Sequence, residues 1–204
     1  MKRGWTIYLG VLCLLVNCQQ KPEKLPILGP KKVENGQTII YPIPNFRLLN
    51  QDSQTLTQDH LKDKIRVADF FFTSCPTICP QVQQQMMRIY DSFSEQDQVV
   101  FLSHSIDVKR DTVGRLREYA RQLGLDNESR WHFLTGDKEQ IFSLANDYFN
   151  IVVEDESAPG GFDHTGRIVV VDPEGFIRTF ANGTNPLAVD TLIQDIQTLL
   201  HDLH

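Results

Sequence analysis

Residues 65–80 read IRVADFFFTSCPTICP, an apolar run followed by two cysteines, Cys75 and Cys79. Because the run is nearly continuous from residue 65 to 72, it predicts a strand that is buried on both faces. Downstream, apolar residues recur every three or four positions and predict a helix with one apolar stripe: Ile78, Val82, Met86, Ile89 and Phe93. The cysteines thus lie between a strand and a helix, where α/β sheets bind ligands.

The segments on either side continue this α/β pattern. Residues 39–57 contain two short apolar pieces, broken by prolines and turn-forming residues, that predict a hairpin. Beyond the cysteines we expect strands at residues 99–103, 131–134, 168–171 and 176–180, and helices capped by Asp111, Asp137 and Asn185. The alternation predicts one three-layer α/β domain, with a mixed central sheet flanked by helices and an N-terminal hairpin extension.

Composition narrows the possible functions. The chain has 204 residues, 41% hydrophobic and 23% charged, and a formal net charge of −6. These values are typical of one globular domain that folds in water. Because Lys and Arg form no extended run, the chain lacks the electrostatic footprint of a nucleic-acid-binding protein, and we expect no DNA or RNA partner.

The N-terminus predicts export. Lys2 and Arg3 precede an apolar stretch over residues 5–16, which is shorter than the roughly 20 residues of a membrane-spanning helix and is typical of a signal peptide. Cys18 follows in a context that resembles the lipobox of bacterial lipoproteins, so we expect a signal peptide at 1–17 and lipidation of Cys18. An uncleaved signal anchor is the alternative. Residues 18–38 predict a tether and 39–204 the domain, lipid-anchored in the cell envelope on the extracytoplasmic (periplasmic) side.

Export leaves two thiols to explain. Of the four cysteines, Cys13 is lost with the signal peptide and Cys18 is modified, so Cys75 and Cys79 remain. Such a pair is a structural disulfide, a redox pair or a metal site, and a disulfide closing so short a loop would stabilise the fold very little. At a helix start, free N–H groups favour the thiolate, which suits both redox chemistry and Cu(I). The spacing alone favours neither.

A histidine near the C-terminal strands favours the metal site. Residues 160–166 read GGFDHTG, so His164 follows two glycines and precedes a predicted strand. Thioredoxin-like redox proteins normally have a proline at this place, facing their cysteines. A histidine on a glycine-flanked loop could instead swing onto a metal and complete a Cys₂His set suited to copper. Met86 and Met87 lie at helical spacing, and we expect both to be core or flanking residues.

These motifs together resemble the Sco/SenC family of copper chaperones for cytochrome c oxidase. The resemblance rests on the strand leading into Cys75-Pro76-Thr77-Ile78-Cys79-Pro80 and on Asp163-His164-Thr165, and it covers residues from about 43 to 200. It implies a thioredoxin-like fold and a copper site formed by Cys75, Cys79 and His164. It also favours a metallochaperone that helps to assemble the copper centre of cytochrome c oxidase subunit II, and it leaves thiol-disulfide oxidoreductase activity open.

The resemblance leaves several roles open. It implies that the reduced thiols bind copper and that a Cys75–Cys79 disulfide blocks binding, with an upstream copper donor or thiol reductant as a further partner. An envelope thiol-disulfide oxidoreductase is the alternative function. Asp107 and Arg110 lie in a second family-like segment, and we interpret them first as a cap and loop-ordering pair and second as a partner-recognition surface. The remaining histidines match no ligand position of the family and are expected to be structural or solvated: His60, His104, His132, His201 and His204.

Overall fold

The computed structural model describes residues 24–125 and 129–203, which form eleven strands, four α-helices and two short 3₁₀ turns. The strands are β1 (Lys31–Glu34), β2 (Gln37–Ile40), β3 (Arg47–Leu49), β4 (Thr55–Thr57), β5 (Ile65–Phe71), β6 (Val99–Ser105), β7 (Trp131–Leu134), β8 (Val152–Glu154), β9 (Phe162–His164), β10 (Arg167–Val171) and β11 (Ile177–Asn182). The helices are α1 (Cys79–Ser92), α2 (Val113–Gln122), α3 (Lys138–Asp147) and α4 (Pro186–Asp202).

A mixed five-stranded sheet forms the centre of the fold. Its order is β11-β10-β5-β6-β7, with β5, β6 and β7 parallel and with β10 antiparallel to both β5 and β11. Every residue of β5 is buried, as the continuous apolar run predicts. The carboxyl end of this central strand leads directly into the cysteine loop.

Aromatic layers cover both faces of the sheet. On one face, Tyr90 of α1 and Tyr119 of α2 pack against sheet aromatics, with centroid distances of 5.3 Å from Tyr90 to Phe101 and 5.6 Å from Tyr119 to Phe133. On the other face, Tyr148, which caps the C-terminus of α3, packs 5.8 Å from Phe70. The three-layer arrangement with a mixed sheet is therefore confirmed.

The N-terminal region contains more structure than we expected. β1 and β2 form a hairpin around Asn35 and Gly36, inside residues that the sequence assigned partly to a tether. Upstream of it, the Leu28 N–H donates to the carbonyl of Ile177 at 2.7 Å, which joins this segment to the edge strand β11. A second hairpin joins β3 to β4, so Ile39 does not pair with the segment around Leu48.

Helix caps agree with the sequence at two of three positions. The side chain of Asp137 accepts from the Gln140 N–H and that of Asn185 accepts from two N–H groups of α4, as predicted. Asp111 does not cap α2. Thr112 does so instead, accepting from Arg115 N–H, because the carboxylate of Asp111 is buried and bonded elsewhere.

The N-terminal predictions concern residues that lie outside the described ranges. These are the signal peptide, the lipidation site Cys18 and the first part of the tether. Among the helices of the described ranges, none has the length and apolar character needed to cross a membrane.

Candidate metal centre

Regular structure holds the cysteine loop at both ends. β5 ends at Phe71, and the N–H of Cys75 donates to the carbonyl of Phe72 at 3.2 Å. Cys79 is the first residue of α1, and the following Pro80 lies in the first turn, where a missing N–H removes no helical hydrogen bond. Cys79 is consequently buried, whereas Cys75 is half-buried.

His164 reaches the cysteines from a separate short hairpin. β8 and β9 pair antiparallel with Val152 opposite His164, where the sequence predicted a loop. Gly160, near the hairpin tip, has a φ of +85°, and a Cβ there would stand 2.6 Å from the ring of Phe72, so this close approach requires glycine. The imidazole of His164 packs edge-on against the same ring, with centroids 5.8 Å apart.

The three predicted donor groups meet in the structure. The sulfur atoms of Cys75 and Cys79 and a ring nitrogen of His164 all lie within 4.8 Å of one another. The Sγ of Cys79 is 3.5 Å from Nε2 of His164, and the two cysteines are not joined by a disulfide. Nδ1 of His164 is buried without a hydrogen-bond partner in the described part of the chain. Two thiolates and one imidazole are donors that suit copper, so this group fits copper binding.

The two thiols differ in acidity. Burial raises the pKa of Cys75, but hydrogen bonds from the Cys79 thiol and from the backbone at Thr77 and Cys79 outweigh it, so this pKa lies below its ordinary value. Burial, together with the neighbouring Cys75, raises the pKa of Cys79. Burial lowers the pKa of His164, which keeps the imidazole neutral and able to bind a metal.

Comparison with known proteins identifies the family. The sequence model of the SCO1/SenC family matches residues 38–201. The chain belongs to the SCO1/SenC family. The match spans the sheet, the cysteine loop and the hairpin that carries His164.

Solved SCO1/SenC structures have the same fold. A SCO1/SenC family lipoprotein from Bacillus anthracis has a TM-score of 0.71 at 27% identity, over 78% of this chain and 95% of that chain. BsSco has a TM-score of 0.70 at 26% identity, over 87% of this chain and 98% of that chain. It is a member of the Sco family of cytochrome c oxidase assembly proteins, and a disulfide switch was identified in it. Arabidopsis thaliana ScoI, solved with copper bound, has a TM-score of 0.64 at 26% identity, over 77% of this chain and 99% of that chain. The thioredoxin-like fold inferred from the sequence is confirmed.

Other histidines lie outside the donor group. His104 is fully buried and stacks on Phe70 at a centroid distance of 4.7 Å. Nδ1 of His60 accepts from the backbone N–H of Thr57 at 3.1 Å. His132 is partly buried and His201 is exposed, while His204 lies outside the described residues. His104 and His60 therefore have local structural roles, and Nδ1 of His132 lies 3.5 Å from Nδ2 of Asn50.

A groove opens beside the two cysteines. It has a volume of about 380 Å³ and lies between α1 and α2, with Tyr119 and Met87 in its walls next to Cys75 and Cys79. Met86 is fully buried in the core, as predicted, whereas Met87 is partly buried. The groove gives a second molecule an approach to the thiols along a wall that includes Tyr119 and Phe72.

A buried carboxylate that the sequence analysis misassigned supports the cysteine loop. Asp111 accepts hydrogen bonds from the N–H and hydroxyl of Thr73 at 3.0 and 2.6 Å, and from the hydroxyl of Ser105 at 2.6 Å. The guanidinium of Arg115 donates to the same Thr73 hydroxyl at 3.1 Å. Asp111 thus ties the ends of two parallel strands together just before Cys75. The sequence signal for this role was that Asp111 stands directly before Thr112, a second residue able to cap the helix.

A second buried acid lies within β5 itself. Asp69 is 1% exposed, and burial raises its pKa to about 7, although a hydrogen bond with Ser103 opposes the shift. Its Oδ1 has no hydrogen-bond partner among the described residues. An acidic residue inside an otherwise apolar buried strand was the signal that sequence reasoning could have used.

Proposed function

We propose that this protein binds copper through Cys75, Cys79 and His164 and delivers it to cytochrome c oxidase, for assembly of the copper centre of subunit II. The observation that carries the proposal is the convergence of two sulfurs and one imidazole nitrogen within 4.8 Å. Two structural relatives support it: BsSco belongs to a family of cytochrome c oxidase assembly proteins, and Arabidopsis ScoI was solved with copper bound.

The site's chemistry follows from its two halves. Cys75 lies on the loop that follows β5 and Cys79 begins α1, and together they supply two thiolates, which suffice for Cu(I). His164 comes from a separate hairpin, so it can leave the metal without disturbing the thiols. An acceptor that approaches along the groove beside the cysteines would then exchange its own ligands for those of this protein. A bound metal replaces the thiol protons, which offsets the raised pKa of Cys79.

We also propose that the domain works in the cell envelope, anchored through a lipid on Cys18. The basic N-terminus, the short apolar stretch and the cysteine that follows support the proposal. The structural relative from Bacillus anthracis is described as a lipoprotein. Metabolic labelling with a radioactive fatty acid should mark the chain and fail to mark a Cys18→Ser variant, whereas equal labelling of both would refute lipidation.

Copper titration tests the main proposal. The reduced full-length chain, purified in detergent, is titrated with Cu(I) and Cu(II) beside His164→Ala, Cys75→Ser and an exposed control, His201→Ala. We expect one tight equivalent of copper and a thiolate-to-Cu(II) absorption band. The band should disappear in Cys75→Ser, shift or weaken in His164→Ala, and stay in the control. Absence of tight copper binding by the unmodified chain would refute the proposal.

A thiol-disulfide oxidoreductase is the second candidate, and the unequal thiols favour it. A partly exposed Cys75 with a lowered pKa beside a buried Cys79 with a raised pKa resembles an attacking thiol and a resolving thiol. His164 separates the two functions. Its replacement by alanine should weaken copper binding while leaving the rate of exchange with a disulfide substrate nearly unchanged. A chain that exchanges rapidly and binds no copper would establish the oxidoreductase instead.

A further inference from the structure

An ion pair beside the metal centre has no role in the function proposed above. Asp107 is 3% exposed and follows β6 closely, and its Oδ2 lies 3.2 Å from Nε of Arg110. The backbone N–H of Arg110 also donates to Oδ1 of Asp107 at 3.3 Å. Oδ2 of the carboxylate makes this ion-pair contact without a hydrogen bond, and the side chain of Arg110 is 59% exposed. The two residues are in contact, and a loop-ordering role for the pair stays a prediction.

The free end of this guanidinium reaches the hairpin that carries His164. Nη2 of Arg110 lies 3.8 Å from the position that a Cβ would take on Gly161. On the neighbouring residue, the Cβ position of Gly160 is 2.6 Å from the Phe72 ring and 3.4 Å from Pro76 of the cysteine loop. The tip of the β8–β9 hairpin thus lies between the cysteine loop and Arg110.

The base of the same hairpin is attached separately. The Thr165 hydroxyl donates to Oδ1 of the buried Asn150 at 3.0 Å, and the Thr165 N–H donates to the carbonyl of Ile151 at 3.1 Å. His164 lies between this base and the tip. An opening motion that removes His164 from the cysteines can pivot at the base, but it has to separate the tip from Arg110 and from the cysteine loop.

We propose that Asp107 and Arg110 form a latch that holds the His164 hairpin closed over Cys75 and Cys79. The latch sets how fully the imidazole occupies its place as the third copper ligand, and it rests on the proposed Cys₂His site. Arg110 acts through His164 and is a positioning residue. Its planar guanidinium can contact the carboxylate with one edge and the glycine turn with another, which the ammonium of lysine cannot do.

The two oxidation states of copper respond differently to such a latch. Two thiolates satisfy Cu(I), whereas Cu(II) in this site depends on the imidazole as well. A loosened hairpin should therefore weaken Cu(II) binding more than Cu(I) binding. General destabilisation of the fold would instead weaken both and lower the melting temperature.

The test compares five variants of the full-length chain: Arg110→Gln, Arg110→Lys, Asp107→Asn, the double variant Asp107→Asn/Arg110→Gln and the control Arg117→Gln. Arg117 lies on α2, is 56% exposed and has only a 3.8 Å contact with Asp52. Affinities are measured anaerobically, by competition with chelators for Cu(I) and immediately after mixing for Cu(II). Nitrogen coupling in the electron paramagnetic resonance spectrum of the Cu(II) form reports imidazole ligation directly, and thermal unfolding reports stability.

We expect both Arg110 variants and Asp107→Asn to weaken Cu(II) binding about fivefold and to reduce the nitrogen coupling, with Cu(I) affinity changed by less than about twofold. The double variant Asp107→Asn/Arg110→Gln should be no worse than either single variant, and the control should match the unmodified chain. Unchanged Cu(II) affinity and coupling in Arg110→Gln would overturn the latch, as would equal losses for both oxidation states. Lack of nitrogen coupling in the unmodified chain would instead refute the proposed copper site.

Discussion

Replacement of Asp69 by asparagine should make the protein more stable at alkaline pH. The carboxyl group is 1% exposed, and burial raises its pKa to about 7, from 3.8. An acid with a raised folded-state pKa contributes stability that is complete below the unfolded pKa and is lost as the pH rises through the folded pKa. Between pH 5 and pH 7 the unfolded chain has an ionised Asp69 and the folded chain a largely protonated one. At 1.36 kcal/mol per pH unit, and with the folded-state carboxyl half ionised at pH 7, the unmodified protein should lose about 2 kcal/mol of stability over this interval through Asp69.

Urea unfolding at pH 5 and pH 8 measures this loss. The free energy of unfolding of Asp69→Asn, relative to that of the unmodified chain, should increase by about 3 kcal/mol from pH 5 to pH 8, because the amide has no charge to bury. The exposed control Asp97→Asn is measured at the same two pH values. Equal pH dependence in Asp69→Asn and the unmodified chain would show that Asp69 is already ionised in the fold, and the argument from burial would fail.

Three further experiments test the site's framework. Asp111→Ala should lower the free energy of unfolding by about 3 kcal/mol, because the buried donors of Thr73 and Ser105 lose their acceptor. Thr112→Ala should lower it by about 1 kcal/mol, because α2 loses its N-cap. Equal losses in urea unfolding would contradict the assignment of Thr112, and not Asp111, as the cap. Limiting iodoacetamide at neutral pH should modify Cys75 well before Cys79, because Cys75 is more exposed and its pKa is lowered. Peptide mapping identifies the modified residue. Preferential modification of Cys79 would refute the argument that Cys75 is the more acidic thiol. Gly160→Ala should lower stability and weaken Cu(II) binding, because the added Cβ would collide with the Phe72 ring. The control Gly36→Ala is also at positive φ but has open space around it, so it should lower stability alone. Unaltered copper binding in both variants would contradict the close approach of Gly160 to Phe72.

Local signals predicted most of the central architecture. The strand that precedes the cysteines is a continuous apolar run, and the helix after it has a regular apolar stripe, so both could be identified without tertiary information. Asp137 and Asn185 cap helices as their residue types suggest. The donors Cys75, Cys79 and His164 come together, but 85 positions separate Cys79 from His164. That contact was expected only because the motifs resembled a known family.

The predictions that failed depended on distant contacts or on weak patterns. Asp111 and Thr112 are both suitable cap residues. The buried position of Asp111 depends on its hydrogen bond with Thr73, which lies 38 positions away in the sequence. The hairpin formed by β1 and β2 has mostly exposed residues, so it lacks the alternation of apolar and polar residues that predicts a strand. Its turn residues Asn35 and Gly36 were a usable hairpin signal.

X-ray absorption at the copper edge tests the central claim most directly. The Cu(II)-loaded full-length chain should show two sulfur scatterers and one imidazole nitrogen in the first coordination shell, contributed by Cys75, Cys79 and His164. The imidazole contribution should disappear in His164→Ala and remain in His201→Ala. A first shell without sulfur, or an imidazole signal that persists in His164→Ala, would contradict the assignment of these three residues as the copper site.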